Sequence, residues 1–244
     1  MKGFGPDTFG SLYADEYDDL HNPGTTEASV DLIAELAGDV AMLELAIGTG
    51  RMALPLAGRG FDVSGLEASP EMVTKLREKP GGRTIPVMMS DMADFQTDQS
   101  YGFAFLVFNT LFNLTSQHAQ IGCFGSVSKC LTPGGQFLVE TFVPNLARFQ
   151  DNRDVTVSKL DKNSVWLEAV THDPVEQTLS YQRIRYTPDG VKIAPLVMRY
   201  AWPAEMDLMA RLARLELKHR WGGWQREPFT AHSEMHVSVY EKIG

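Results

Sequence analysis

Three acids mark the ends or interiors of short apolar runs: Glu44 within VAMLELA, Glu67 closing FDVSGLE and Asp91 after TIPVMMS. Between the first two lies a bend of small residues, Ala46, Gly48 and Gly50, in AIGTGR. Glycine reaches positive φ without a steric cost and lets a ligand lie against the backbone. Such a bend, ahead of a helix, presents unsatisfied N–H groups to that ligand. Glu67 stands 17 residues beyond Gly50, where a carboxylate accepts hydrogen bonds from two ribose hydroxyls. Asp91 is placed to accept from an adenine amino group. Glu44 puts a charge into an apolar strand, which is costly unless it is paired. These residues describe a cradle for a nucleoside-bearing cofactor, either a nicotinamide dinucleotide or S-adenosylmethionine.

The elements that must hold the cradle are legible as an alternation. TTEASVDLIAELAG is a helix with threonine caps and Gly38 as its stop. VAMLELA is a strand, and RMALPLAGRG is a helix that tolerates Pro55 only near its first turn. FDVSGLE is the second strand. SPEMVTKLREK is a helix with Ser69 as cap and Pro70 in its first position. TIPVMMSD, YGFAFLVFN and QFLVETF are further strands, with the helix SQHAQIGCFGSVSKCL and the tight turn TPGG before the last. Strands apolar enough for burial on both faces, alternating with helices, give an α/β fold with a mainly parallel sheet.

The pattern changes over residues 153–200. Four strand-like runs, VTVSKL, SVWLEAVTH, TLSYQRIRY and KIAPLVMRY, are joined by turn chemistry at DKN, DPVEQ and TPDG. This is an inserted antiparallel lobe. The tail, residues 201–244, returns to the main layer with the helix PAEMDLMARLA and the strands LELKHRW and HVSVYEK.

Composition narrows the partners. The 244 residues are 43% hydrophobic, enough for one sizeable core and a small second lobe. The net charge is -9, with no Lys/Arg stripe of the kind that tracks phosphates, which disfavours nucleic acid. No apolar run approaches membrane-spanning length, and the N-terminal stretch lacks a signal-peptide pattern. Cys123 and Cys130 share a helical face too far apart to bridge, so they read as core residues in a reducing compartment. A cytoplasmic location is expected.

With these residues in place, the sequence resembles class I S-adenosylmethionine-dependent methyltransferases. ELAIGTG resembles their glycine loop, GLEAS their ribose loop, SDMADF their adenine loop and LTPGGQFLVETF their fifth-strand entry. Absence of a Tyr-x-x-x-Lys pair and the charge of Glu44 also favour this cofactor. The resemblance implies a Rossmann-like seven-stranded sheet with its last strand antiparallel. Residues 1–152 would form the cofactor core with an N-terminal lid segment. The lobe over residues 153–200 resembles the substrate cover of small-molecule members, including those acting on natural products and sugars.

By position, the resemblance places Ala46, Gly48 and Gly50 along the methionine side, Glu67 and Ala68 at the ribose, and Asp91 and Met92 at the adenine. It assigns the backbone carbonyl of Phe108 to the ammonium and Arg51 to the carboxylate. Glu44 faces the cationic end, and Tyr17 closes over the cofactor, with Tyr13 competing for that role. The product is S-adenosylhomocysteine, and a homodimer is compatible with the family.

Methyl transfer to O or N of a small molecule is the expected reaction. A sulfonium methyl group is already activated, so positioning in line and exclusion of water carry most of the catalysis. A hydroxyl acceptor benefits from a base, and His172 and His118 are the candidates. His21, His232 and His236 read as structural or exposed, and no metal is expected. Trp202, Trp221, Trp224 and Arg226 are divided evenly between core and acceptor-pocket readings. A nicotinamide-dependent oxidoreductase and a non-catalytic cofactor-binding module remain the alternatives.

Overall fold

Strands β1 (Met42–Leu45) and β2 (Val63–Glu67) are buried at every residue, carboxylates included. Strands covered on both faces belong inside a parallel sheet with helices on either side. The computed structural model describes residues 10, 14, 17–20 and 24–244. In it, α1 (Tyr17–Leu20) and α2 (Thr26–Ala37) precede β1, followed by α3 (Ala53–Gly58), β2, α4 (Pro70–Glu78), β3 (Val87–Met89), β4 (Tyr101–Leu106), α5 (Gln117–Cys130) and β5 (Leu131–Phe142). Next come β6 (Arg153–Leu160), β7 (Val165–Asp173), β8 (Thr178–Thr187) and β9 (Gly190–Arg199). The chain closes with α6 (Pro203–Leu212), β10 (Leu215–Trp221) and β11 (Met235–Lys242).

The main sheet has seven strands in the order β10-β11-β5-β4-β1-β2-β3. Only β11 runs against its neighbours; the pairs β1–β2, β1–β4, β2–β3 and β4–β5 are parallel. The chain winds outward from β1 to β3, then restarts on the other side at β4. That reversal opens a crevice beyond the C-terminal ends of β1 and β4, where such sheets bind ligands. Alternate strand residues feed two cores. Leu43, Leu45, Phe137 and Val139 pack on one face, while Met42, Phe105 and Leu138 pack on the other.

Local chemistry explains most element ends. Ser69 Oγ accepts the Met72 N–H at 3.2 Å, with Pro70 opening α4, a cap worth about 1 kcal/mol. Ser116 caps α5 in the same way at 3.1 Å. Pro55 falls in the first turn of α3, where its missing N–H has no intrahelical partner to lose. Two details differ from expectation. Thr25 makes no side-chain cap; instead its carbonyl accepts from the N–H and hydroxyl of Ser29. The Thr132–Gly135 turn lies inside β5 as an irregularity, with a register shift against β4 and Gly134 at φ 74°. Cys123 and Cys130 are both buried and unbridged.

The four strands β6-β7-β8-β9 form a separate antiparallel sheet in sequence order. Its inner face contributes Val170, Leu179, Leu196 and Met198 to the core shared with α5. Arg199, at the end of β9, fastens this sheet to the main layer. Its Nη1 donates to Gln120 Oε1 and its Nη2 to Glu205 Oε1, both at 2.8 Å. Gln120 in turn donates to the carbonyls of Leu114 and Arg199. No described helix is long and apolar enough to cross a membrane.

Candidate active site

The bend after β1 is made of left-handed residues: Ala46 at φ 52°, Gly48 at 57° and Gly50 at 84°. The two glycines serve different ends. A Cβ on Gly48 would meet nothing closer than the Ala46 carbonyl at 3.9 Å, so its Cα faces open cavity. A Cβ on Gly50 would strike Leu76 at 2.4 Å, so Gly50 lets the bend pack tightly on α4. Glu67, at the end of β2, organises the bend. Its Oε2 accepts the Gly48 N–H at 2.8 Å, and its Oε1 accepts the N–H groups of Ala68 and Ser69 at 3.0 and 2.9 Å. Burial raises the Glu67 carboxyl above its ordinary range while those three N–H groups pull it back.

Glu44 is more extreme. It is wholly enclosed in β1, and its Oε2 is buried without a partner. Burial raises its carboxyl well above the ordinary value, opposed by Arg51 and the Ala53 N–H and reinforced by Glu67. Arg51 lies with its guanidinium 4.8 Å above the Phe108 ring. The helix α1 is pinned over the bend: Thr49 Oγ1 donates to Asp18 at 2.6 Å, and Lys79 Nζ bridges Asp18 at 2.6 Å and the Thr49 carbonyl at 2.9 Å. Burial pushes the Tyr17 hydroxyl up to about 12.

One cavity of about 420 Å³ runs from this bend to the inserted sheet. At its first end stand Tyr17, Ala46, Gly48, Glu67, Ala68, Asp91, Met92 and Phe108. Asp91 also closes a turn by accepting the Ala93 N–H at 2.8 Å. In the middle are Asn109, Thr110, Asn113 and Phe142. Phe108 and Asn109 are left-handed at φ 62° and 60°, which strains residues bearing a Cβ by roughly 1–3 kcal/mol each. Asn113 Oδ1 is buried and has no hydrogen-bond partner.

At the far end, β7, β8 and β9 present one face. The register opposes Glu168 to Arg183 and Tyr181 to Leu196. Arg183 Nε donates to Glu168 Oε1 at 3.1 Å. Arg148 reaches in from the 3-10 turn Leu146–Arg148 and is held by Asp154 through Nε at 2.7 Å. Burial raises the Tyr181 hydroxyl.

The acidic first end, with Glu67 and Asp91 lining it, fits a nucleoside cofactor that offers ribose hydroxyls and an adenine amino group as donors. Known proteins decide the matter. A methyltransferase domain family matches residues 42–135. The methyltransferase CcbJ of Streptomyces caelestis is 37% identical, with a TM-score of 0.93 over 99% of this chain and 100% of that one. The chain belongs to the class I S-adenosylmethionine-dependent methyltransferases. The cypemycin N-terminal methyltransferase of a Streptomyces species is 28% identical over 207 residues, 82% of each chain. An amino pentose methyltransferase from Micromonospora echinaspora, solved with S-adenosylmethionine bound and involved in calicheamicin biosynthesis, shares the fold at a TM-score of 0.70 and 19% identity, over 95% of this chain and 96% of that one. The full-length match to CcbJ sets aside the nicotinamide-dependent and non-catalytic readings.

In this methyltransferase, eight of the residues expected at the cofactor line the cavity, while Glu44, Gly50 and Arg51 stand behind it. The two histidines proposed as bases are elsewhere. His118 is exposed near the start of α5. His172 is on the same face of β7 as Glu168, but its ring is stacked on Phe149 at 5.0 Å and its Nε2 is bonded to the Tyr200 hydroxyl at 3.0 Å. Neither lines the cavity. The aromatic cluster, divided evenly between core and pocket by its sequence, lies away from the cavity. Trp224 is core, Trp202 packs edge-on to Tyr200, and Arg226 pairs with Glu35 over the Trp221 ring; none lines the cavity. His236 is buried, bonded to Thr141 and Ser238. Tyr13 and His21 lie outside the described residues.

Sequence reasoning missed Asn113, Glu140, Arg148, Glu168, Tyr181 and Arg183. Glu140 carried a usable signal: it is a lone acid in an apolar run, FLVETF, as Glu44 is in VAMLELA.

Proposed function

We propose that this methyltransferase methylates an amine nitrogen of a small natural product, held between the main sheet and the sheet of residues 153–199. The observation that carries the reading is Asn113, a cavity-lining residue whose buried Oδ1 has no hydrogen-bond partner. A neutral amine has one lone pair for the incoming methyl group and N–H groups to spare. An oxygen acceptor aligns it by taking an N–H and leaving the lone pair aimed forward. Two relatives point the same way: one is named for methylation at an N-terminus, the other for an amino pentose.

Glu67 and Ala68 are assigned to the ribose, Asp91 and Met92 to the adenine, Ala46, Gly48 and Phe108 to the methionine end, and Glu44 to its positive charge from behind the bend. Arg51 orders Phe108, and Tyr17 covers the site. When bound, S-adenosylmethionine supplies an activated sulfonium methyl group. The protein's part is to align the acceptor and keep water out. An amine needs no strong base, since its proton leaves for solvent before or after transfer. His118 and His172 are given no part in the chemistry.

The test pairs acceptors that differ only in carrying an amine or a hydroxyl, with the new methyl located by NMR. Transfer to the amine members is expected; transfer to hydroxyls alone overturns the reading. Asn113→Ala should lower kcat about 10-fold, an effect of the size expected for one lost orienting hydrogen bond, with S-adenosylmethionine affinity unchanged.

A further inference from the structure

The turn that ends β4 is held from β5. Glu140 Oε2 accepts the Phe108 N–H, and the Glu140 carbonyl accepts the Asn109 N–H at 3.3 Å. Asn109 Oδ1 then accepts the Phe142 N–H at 2.5 Å. Three bonds from one strand therefore fix two consecutive residues that sit at positive φ against their steric preference. Glu140 is buried. Burial raises its carboxyl, and the Phe108 N–H and Arg51 oppose that rise. A buried carboxylate is a costly way to satisfy one N–H, so its retention needs a reason beyond filling the strand. That reason is the neighbour: Phe108 lines the cavity, with Arg51 packed over its ring.

We infer that Glu140 is a positioning residue for the methionine end of the cofactor. By gripping the Phe108 N–H it sets the plane of the peptide that precedes Phe108 and, with the Asn109 bonds, the direction of the Phe108 carbonyl. Loss of the grip releases the turn toward ordinary negative φ and swings that carbonyl away from the cavity. The adenosyl end, held by Glu67 and Asp91 from other strands, is left undisturbed. The inference rests on the placement of the methionine end at Phe108 proposed above.

The experiment is calorimetric titration of the full chain with two ligands that share the adenosyl thioether. S-adenosylhomocysteine carries the amino acid; methylthioadenosine does not. Glu140→Ala should weaken S-adenosylhomocysteine at least 10-fold and leave methylthioadenosine within twofold. Glu140→Gln, whose amide oxygen can accept the same N–H, should restore most of the lost affinity. Asn109→Gly tolerates positive φ and keeps the backbone bond but loses the Oδ1 bond to the Phe142 N–H, and should show the same selective loss, about threefold, even if Glu140→Ala does not fold. Equal weakening of both ligands, or no change in either, overturns the role. Failure of the wild-type chain to bind S-adenosylhomocysteine counts instead against the cofactor placement, as does a Glu67→Ala variant that binds both ligands normally.

Discussion

The two ends of the cavity are built by different rules. The first end is made where parallel strands stop: backbone N–H groups of the bend, and carboxylates delivered by β1 and β2 from inside the sheet. The far end is the face of an antiparallel sheet, where Glu168, Tyr181 and Arg183 project from every second residue of β7 and β8. At strand ends, the chemistry is bound to the backbone path, so changing it disturbs the fold. On a sheet face, a side chain is exchanged without moving the strand, since successive residues point to opposite sides. On the function proposed above, the arrangement joins a rigid cofactor cradle to an adjustable acceptor wall.

The joint between the two regions should give the largest response to mutation. Arg199 is buried and supplies one bond to Gln120 and one to Glu205. Arg199→Met leaves both partners without their cation. Glu205 is part-exposed and keeps Gln117 and Gln177, so the loss should fall below that of a fully buried pair, at about 2 kcal/mol, which lowers Tm by about 5 °C. The comparison predicts an asymmetric result in the protein that remains folded. Acceptor turnover should fall, while S-adenosylhomocysteine affinity stays within about threefold. Melting curves with and without that ligand, beside turnover assays, check both halves. Equal losses at the two ends would mean that the regions are one cooperative site.

A smaller effect, opposite in sign for stability and binding, is expected at Glu44. Its folded carboxyl is raised well above the ordinary value by burial. The contribution of such a group to stability is full below its unfolded pKa and is lost as pH rises through the raised folded value. Above the unfolded pKa, keeping this carboxyl buried therefore burdens the unliganded protein. Glu44→Gln should raise Tm at pH 8 by about 2–4 °C, equivalent to roughly 1 kcal/mol, with little gain at about pH 4, below the ordinary carboxyl value. It should also weaken S-adenosylmethionine about 10-fold, because a glutamine behind the bend cannot ionise in response to the cation. Melts at the two pH values and a titration suffice. A variant that gains stability without losing affinity would remove Glu44 from the cofactor end.

The same contrast explains what was legible in the sequence. The cofactor end depends on order along the chain: strand, glycine bend, helix, then an acid at the next strand end. Those features are local, so the convergence of Glu67, Gly48 and Asp91 on one cavity was readable. The functional split between Gly48 and Gly50 was not, because Leu76 reaches Gly50 from α4. The acceptor end depends on register between strands. The runs and turns of residues 153–200 were readable, but which alternate set faced the cavity was not, since polar and apolar residues occur on both faces. Tyr181 and Arg183 point inward while Ile184 and Ile193 share the opposite face. His172 misled for a related reason. It does face inward, but Phe149 and Tyr200, distant in sequence, enclose it.

The smallest predicted effect tests that inward face by way of its opposite. Val157, Leu167, Ile184 and Ile193 form a cross-strand row on the outside of the inserted sheet, and Val157 and Ile193 are each 60% exposed. Side chains that already meet water have little burial to lose, so Val157→Thr and Ile193→Thr should each change stability by no more than about 0.5 kcal/mol. Neither should alter turnover, although their row also holds Leu167 and Ile184, which adjoin the cavity-lining Glu168 and Arg183 in sequence. Chemical denaturation and steady-state rates on the two variants check this. A loss above about 1 kcal/mol that fades on dilution would show the row buried against a second copy of the chain. A change in turnover at constant stability would mean that the outer face communicates with the acceptor. In that case the wall would be adjustable from both sides of the sheet, and the inner alternate set would no longer account for acceptor choice by itself.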